Sequence, residues 1–332
     1  MGGDFGPRVT VSASLDALKR HPQLVILLVG DQEQISPCLK RVKSSVSSRL
    51  KVLHTESVIR NEDKPSYALR HLRESSMFMA LQAVADGQAQ ACVSAGNTGA
   101  LMAIGRHVIR TLPGVDRPAF ISAIPAVKGH SYMLDLGANV DCSAEHLLQF
   151  AVMGSILAQW VDGIEQPKVG LLNIGAEEIK GNEQVREASR LIEAQDELNY
   201  IGFIEGDDLF SGRADVIVCD GFVGNIALKS SEGLARLIGR KVRASFRGSL
   251  YRRVLAMLAR PALARLQHQL DPSRRNGASL LGLQGIVVKS HGAANRKCFG
   301  HALDEAVAEA RMALPQKISE QIRHHLADSG RC

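Results

Sequence analysis

Apolar positions along this chain form short runs that are separated by segments of helical periodicity. Each run is strand-sized, and most of them are rich in Val, Ile or Leu. Alternation of strands with helices favours an α/β fold with a mostly parallel, doubly wound sheet. The length of 332 residues suits one large α/β unit or two smaller lobes. The runs are LVILLV from 24, AQACVSA from 89, YMLDLGA from 132, KVGLLNIG from 168, DVIVCDG from 215 and GIVVKSHG from 285.

Glycine and asparagine recur where these predicted strands turn into helices. The carboxyl ends of parallel strands share one edge of a sheet, so we expect these turns to line one crevice. A single turn of this kind is more often a left-handed turn or a helix cap. Five such turns together indicate a polar ligand. Their asparagines are Asn97, Asn139, Asn182, Asn225 and Asn295.

Positive charge is concentrated in one segment. The chain carries a net charge of +6, whereas residues 236–275 contain eleven Lys or Arg and one acid, Asp271. Apolar residues there recur at helical spacing, with a break expected near Pro261. We predict a pair of basic amphipathic helices. They could pack on their own domain or on a dimer partner, dock an acidic protein, or adsorb to anionic lipid.

Several familiar signatures are missing from the sequence. It contains no G-x-x-x-x-G-K-[ST] loop, no strand leading into G-x-G-x-x-G and no G-x-S-x-G elbow. The six cysteines are scattered without zinc spacing, which predicts a reduced, cytosolic protein without a metal site. We expect neither a membrane span nor a signal segment. Cys92 and Cys219 lie on predicted strands and are expected in the core.

The polar turns instead suit an anion, and phosphate is the natural ligand. Backbone N–H groups at helix N-termini and a lysine are the groups that bind it. Lys180 supplies a point charge, but it could also be a surface lysine paired with Glu177 or Glu183. His291 could simply be hydrogen-bonded within its turn. Asparagine and threonine side chains can orient oxygens: Asn97, Thr98, Asn139 and Asn225.

Two aspartates, Asp135 and Asp220, also follow predicted strands. A cluster of acids could hold a divalent metal. Without Asp-x-Asp or His-rich spacing, we expect these carboxylates to orient loop backbone or a basic side chain.

Taken in order, these turns resemble a known family. The motifs MGGDFGP, SSM at 75–77, SAGNTGALMA, LDLGANVDC, NIGAEEIKGNE, CDGFVGN and KSHGAAN resemble the phosphate acyltransferases of bacterial phospholipid synthesis, also called acyl-acyl-carrier-protein:phosphate transacylases. The resemblance covers nearly the whole chain. It implies one domain over 1–332, a homodimeric three-layer α/β/α fold related to isopropylmalate dehydrogenases, and a protruding basic helical insertion over 240–276. The family has a strand before MGGD, so we expect the gene product to begin upstream of Met1.

The resemblance also implies an activity. A long-chain acyl group passes from the phosphopantetheine thioester of acyl carrier protein to inorganic phosphate, and the acyl phosphate serves a membrane glycerol-3-phosphate acyltransferase. No cofactor is expected, because phosphopantetheine arrives on the carrier protein. A cytoplasmic protein in peripheral contact with an anionic membrane is implied. No nucleic acid partner is expected, because the basic segment has few aromatic residues and no recognised motif.

Such a reaction needs a site that holds phosphate, stabilises a tetrahedral oxyanion and releases a thiolate. We expect Lys180 and the backbone of 175–182 to hold phosphate, and either Asn225 or a backbone N–H from another turn to face the oxyanion. His291 would orient phosphate or protonate the sulfur. Substrate-binding residues are expected to be Asp4, Ser94, Asn97, Thr98, Asn139, Asn173, Gly175, Glu177, Asn182 and Asp220. Carrier or membrane contacts are expected from Arg243, Arg247, Arg252, Arg253 and Arg260.

Two other functions compete with this one. A metal- and nicotinamide-dependent decarboxylating dehydrogenase would share the implied fold, but it needs an arginine-rich substrate loop and metal-binding aspartates that the sequence lacks. A non-catalytic scaffold that gathers acyl carrier protein at the membrane would not need convergent asparagines and a lysine.

Overall fold

The computed structural model describes residues 1–40, 46, 48–246, 250–270 and 277–328. Of the residues in these ranges, the side chains of 250, 252, 253, 264, 266–270 and 323–328 are not described. The helices are α1 Pro7–Arg20, α2 Gln32–Leu39, α3 Pro65–His71, α4 Ser76–Ala85, α5 Thr98–Val108, α6 Ala144–Asp162, α7 Glu183–Glu193, α8 Gly221–Ser245, α9 Leu250–Leu270, α10 Arg296–Met312 and α11 Leu314–Asp328.

All six apolar runs form strands, as the sequence predicted. The strands are β1 Ile26–Gly30, β2 Leu50–His54, β3 Ala91–Ser94, β4 Ala119–Pro125, β5 His130–Leu134, β6 Lys168–Leu172, β7 Asn199–Ile204, β8 Val216–Val218, β9 Ala278–Leu281 and β10 Ile286–Lys289. β1 and β2 form a small parallel sheet, and the others form an eight-stranded sheet in the order β3-β10-β9-β4-β5-β8-β6-β7.

Helices cover both faces of the large sheet, which confirms the three-layer fold. Successive strand residues point to opposite faces. On one face Leu134 and Val216 pack against α6, α7 and α11. On the other face Met133 and Ile217 pack against α4 and α5. Each layer therefore has its own buried core on a shared sheet.

The direction of the strands changes in the middle of the sheet. β3 and β10 run parallel at one end, and β5, β8, β6 and β7 run parallel at the other. Between them lie three consecutive antiparallel ladders, β10·β9, β9·β4 and β4·β5. Three reversals leave β5 antiparallel to β10. The expectation that all five polar turns share one edge is therefore wrong.

The strand ends form two opposite sides of the sheet. We call the side where β3 and β10 end edge A, and the side where β5, β6 and β8 end edge B; neither term refers to the outermost strands. The sequence could not reveal this division, because β4 and β9, which reverse the direction, were not recognised as strands. Each group of turns is still at the carboxyl ends of parallel strands, where α/β folds bind ligands.

The basic segment forms two helices, but their boundary differs from the prediction. α9 continues through Pro261; α8 ends at Ser245 and α9 begins at Leu250. In the described part of α8 only Gly221 and Gly224 are buried. Beyond Gly224 the helix therefore has only half-buried and exposed residues. Among the described helices, none is both long and apolar enough to cross a bilayer.

Candidate functional site

Edge A brings three distant parts of the chain together. Ser94 and Lys289 are register partners where β3 and β10 end. The backbone N–H of Asp4 donates to the carbonyl of Gly292 at 2.9 Å, which ties the amino-terminal turn to the turn after β10. A Cβ on Gly2 would lie 2.6 Å from the backbone of the β3 turn, so this approach requires glycine.

The polar side chains of edge A mostly hold the turns themselves. Asn97 caps α5 by accepting from Ala100 N at 3.0 Å, and its amide donates to the carbonyls of residues 60, 61 and 63. Asn295 caps α10 in the same way. His291 is exposed, and its Nδ1 accepts from Ala293 N at 3.1 Å. These contacts correspond to the capping and turn-holding interpretations of the asparagines and of His291.

Two residues of edge A, Ser94 and Thr98, carry hydroxyl groups. Ser94 Oγ accepts from the N–H of Gly96 at 3.2 Å, within the turn after β3. Thr98 is exposed at the first position of α5.

Lys289 is an ionisable group at edge A that the sequence analysis did not single out. It is half-buried, and its Nζ donates to the carbonyl of Ser290. Burial lowers the pKa of Lys289 to about 8, while the nearby charge of Asp4 acts in the opposite direction. A lysine that ends a strand in KSHG could have been noticed from its position.

Edge B is organised by the buried carboxylate of Asp135. Its Oδ1 accepts from the N–H groups of Phe120, Gly137 and Ala138, at 2.9, 3.2 and 3.1 Å. Its Oδ2 accepts from the backbone N–H and the side-chain amide of Asn139, at 2.6 and 3.0 Å. Burial raises the pKa of Asp135, whereas these hydrogen bonds lower it. The predicted role of Asp135 in orienting loop backbone is confirmed.

Asn139 and Asp220 are likewise used by the fold. The buried amide of Asn139 also donates to the carbonyl of Pro118 at 2.8 Å, so its donors are taken. Asp220 caps α8 by accepting from Val223 N at 2.8 Å, which confirms its expected role in orienting loop backbone. The Asn139 amide therefore has no free N–H for a ligand, and one oxygen of Asp220 is occupied by the helix cap.

Asn225 is different, because it lies in the second turn of α8 with its amide uncommitted. Its side chain packs against Gly137, where a Cβ would lie 3.4 Å from Asn225 Cβ. It is half-buried, and within the described part of the chain its amide forms no hydrogen bond. A rigid helix and a tight glycine contact thus hold a free amide at edge B.

The loop that carries Lys180 is held by hydrogen bonds among its own residues. The amide of Asn173 donates to the carbonyls of Gly175 and Lys180, at 3.1 and 3.3 Å. Gly181 has a φ of 89°, which favours glycine, and Asn182 caps α7 by accepting from Val185 N. The backbone is therefore shaped before any ligand arrives.

Lys180 itself is exposed. Among the described residues, neither Glu177 nor Glu183 forms an ion pair with it. The alternative interpretation of a paired surface lysine is thus not what the structure shows. A cation next to a helix N-terminus opposes the helix dipole, which favours a role with an anion.

A cavity of about 650 Å³ lies between α5 and the turn after β5. Its walls are largely apolar, and three basic side chains, Arg106, His107 and Arg117, border it. These residues are hard to recognise from sequence, because surface Arg106 and His107 on α5 and Arg117 in the loop before β4 belong to no distinctive local pattern. The apolar walls are Leu69, Met102, Ala103, Pro118 and Ala138.

The predicted site residues therefore divide into two groups. Edge B carries Lys180, Asn225, Asn139, Asn173, Gly175, Glu177, Asn182 and Asp220, and edge A carries Asp4, Ser94, Asn97, Thr98 and His291. Arg243 and Arg260 are exposed on α8 and α9. Arg247 and the side chains of Arg252 and Arg253 lie outside the described residues.

The strand cysteines are part of the core, as predicted. Cys92 and Cys219 are 4% and 3% exposed. Burial raises the pKa of the Cys92 thiol to about 12 and raises that of Cys219 as well. A buried thiol with a raised pKa is a poor nucleophile. The chemistry of edge B instead suits an anion beside Lys180 and a developing negative oxygen beside Asn225.

Comparison with known proteins agrees with this geometry. The model of the family described as "Fatty acid synthesis protein" matches residues 1–317. A phosphate acyltransferase from Shewanella woodyi is 52% identical over 329 residues, which cover 99% of this chain and 96% of the relative. Another from Pseudomonas savastanoi pv. phaseolicola is 56% identical over 322 residues, covering 97% and 94%.

The fold has relatives among solved structures. A phosphotransacetylase from Streptococcus pyogenes has a TM-score of 0.62 at 18% identity, and the match covers 92% of this chain and 91% of that one. This likeness confirms the α/β fold class. The matches along nearly the full length place this chain in the fatty acid synthesis protein family, among relatives named phosphate acyltransferase.

Proposed function

We propose that this protein transfers an acyl group from acyl carrier protein to inorganic phosphate at edge B. The observation that carries the proposal is that edge B holds both Lys180 and the Asn225 amide, neither of which has a side-chain partner in the part of the chain that the structure describes. Family membership supports it over a dehydrogenase or a scaffold. The acyl phosphate would then serve a glycerol-3-phosphate acyltransferase at the membrane.

The chemistry needs no covalent enzyme intermediate. A phosphate oxygen attacks the thioester carbonyl, a C–O bond forms, and the C–S bond breaks to release a thiolate. Lys180 offsets the charge of phosphate and holds it for attack. The Asn225 amide donates to the oxyanion, and its fixed position on α8 avoids reorganisation in the transition state. His291 lies on edge A, so we assign it no part in this step.

A direct assay tests the reaction. The protein is incubated with a long-chain acyl carrier protein thioester, with and without phosphate. We expect thiol release that depends on phosphate, together with an acyl phosphate that hydroxylamine traps as a hydroxamate. Thiol release at the same rate without phosphate, or none at all, would contradict the proposed function.

The basic helices are proposed to meet acidic partners. Arg240, Lys241 and Arg243 on α8 and Arg260 on α9 are exposed and form no ion pair among the described residues. Exposed apolar side chains of α9 accompany them, including Met257 and Leu258. This composition suits binding of an acidic carrier protein and of an anionic membrane surface.

In the acyl-transfer assay, added salt and the substitution Arg243→Glu should both raise the KM for acyl carrier protein if the carrier docks on these helices. Reduced vesicle flotation of Arg243→Glu would instead indicate lipid, and no change in either would show a merely solvated surface.

α8 is proposed to pair with a second copy of the chain. Apolar side chains remain exposed along it at helical spacing, and contiguous exposed apolar surface marks interfaces. Two-fold association would let the same stripe cover itself. The exposed residues are Phe222, Val223, Ile226, Leu234, Leu237 and Ile238.

The dimer is tested by placing a charge in the stripe. Leu234→Asp should raise the dimer dissociation constant about 10-fold or more, because an unpaired carboxylate would be buried in the interface. Sedimentation velocity measures the mass across a concentration series. Lys229→Asp, an exposed position on the same helix, is the matched control. A monomeric wild-type protein at all concentrations would refute the dimer.

A further inference from the structure

The cavity between α5 and the turn after β5 lies beside edge B. It measures about 650 Å³, within the range of small-molecule sites. Leu69 of α3 and Met102 of α5 belong to the same apolar cluster as Ala138, in the turn after β5. The cavity is therefore a groove between two helices and the polar turn that Asp135 organises.

The basic side chains of this cavity have no acidic partner among the residues that the structure describes. Arg106 and His107 are exposed, and neither forms an ion pair among the described residues. Arg117 is half-buried, and its guanidinium donates to a neutral acceptor, the carbonyl of Asp141, at 3.0 Å. Guanidinium groups bind phosphate oxygens well. Uncompensated positive charge beside an apolar groove thus favours a ligand with an anionic end and a neutral body.

The inner wall of the cavity leads to the proposed catalytic amide. Pro118 and Asn139 are buried there, whereas Arg106 is on the solvent side. Ala138 lines the cavity, and the preceding residue, Gly137, is the one that packs against Asn225. A ligand that enters past the arginines would therefore extend toward Asn225.

We propose that this cavity binds the phosphopantetheine arm of the acyl donor. Arg106 and Arg117 contact its phosphate, the neutral arm lies along Leu69 and Met102, and the thioester reaches the turn at 137–139. This assignment rests on the proposed function. Free phosphate would not need the apolar walls, and a bare acyl chain would not need the arginines. The phosphopantetheine arm is the component of the reaction that matches both the apolar walls and the arginines.

The test compares two small donors that differ only in the phosphate, namely acyl-pantetheine and acyl-phosphopantetheine. Wild-type protein should use the phosphorylated donor with a kcat/KM about 10-fold or more higher, as expected for a charge-assisted contact. Arg106→Gln should reduce this preference to a few-fold. Arg70→Gln, beside Leu69 on α3 but not part of the cavity wall, should retain it.

The outcomes separate this inference from the proposed function. Equal use of both donors by wild-type protein, or an undiminished preference in Arg106→Gln, would overturn the cavity assignment while leaving acyl transfer intact. Activity with acyl carrier protein but with neither free arm would overturn it too, because the arm would then have no site of its own. Loss of phosphate-dependent transfer with every donor would overturn the proposed function itself. A melting temperature for Arg106→Gln equal to that of wild type confirms that folding is unaffected.

Discussion

Substitution of Lys180 by Ala is expected to lower turnover at least about 100-fold, the size typical of losing a key electrostatic group. The side chain is exposed and has no described ion pair, so its removal should not affect folding. The effect should appear in kcat and in KM for phosphate, because the lysine both offsets charge and positions the nucleophile. Steady-state kinetics with varied phosphate measures both.

The matched control is Glu178→Ala, another exposed charge in the same loop. It should retain activity within a few-fold, since the loop is shaped by Asn173 and Asn182 rather than by Glu178. Unchanged turnover in Lys180→Ala would remove this lysine from the mechanism. Equal losses in both variants would show that the loop responds to any change of charge.

Substitution of Gly224 by Ala is expected to destabilise the protein by about 3 kcal/mol or more, at the upper end of overpacking effects. A Cβ at this position would lie 1.9 Å from the carbonyl oxygen of Asp135 and 2.9 Å from Cys219 Sγ. The neighbouring backbone belongs to the turn that Asp135 holds with five hydrogen bonds, so it cannot move away at low cost. Urea unfolding followed by circular dichroism measures the change.

Gly233→Ala in the same helix is the control for this prediction. No atom lies within 4 Å of a Cβ at Gly233, outside its own helix and chain neighbours. Alanine favours helix over glycine by about 1 kcal/mol, so this variant should be as stable as wild type or more stable. Wild-type stability of Gly224→Ala would show that α8 does not pack on edge B as described.

Some properties of this protein follow from short stretches of sequence. The apolar runs that became β5, β6 and β8 were recognisable because such runs are local features of the sequence. The glycine-asparagine turns were recognisable for the same reason, and so was the basic composition of 236–275. The family motifs carried the acyltransferase prediction, which the full-length matches support.

The tertiary structure alone decided where those features lie relative to one another. The strand direction that separates edge A from edge B depends on β9 pairing with β4 and β10, between residues far apart in the chain. Whether a side chain is free to bind a ligand also depends on distant residues. The Asn97 amide donates to backbone carbonyls and the Asn139 amide to the Pro118 carbonyl and the Asp135 carboxylate, whereas the Asn225 amide has no such bond among the described residues. A sequence shows which polar groups follow a strand. Only packing decides which of them remain free for a ligand, because nearly all buried polar groups form hydrogen bonds within the protein.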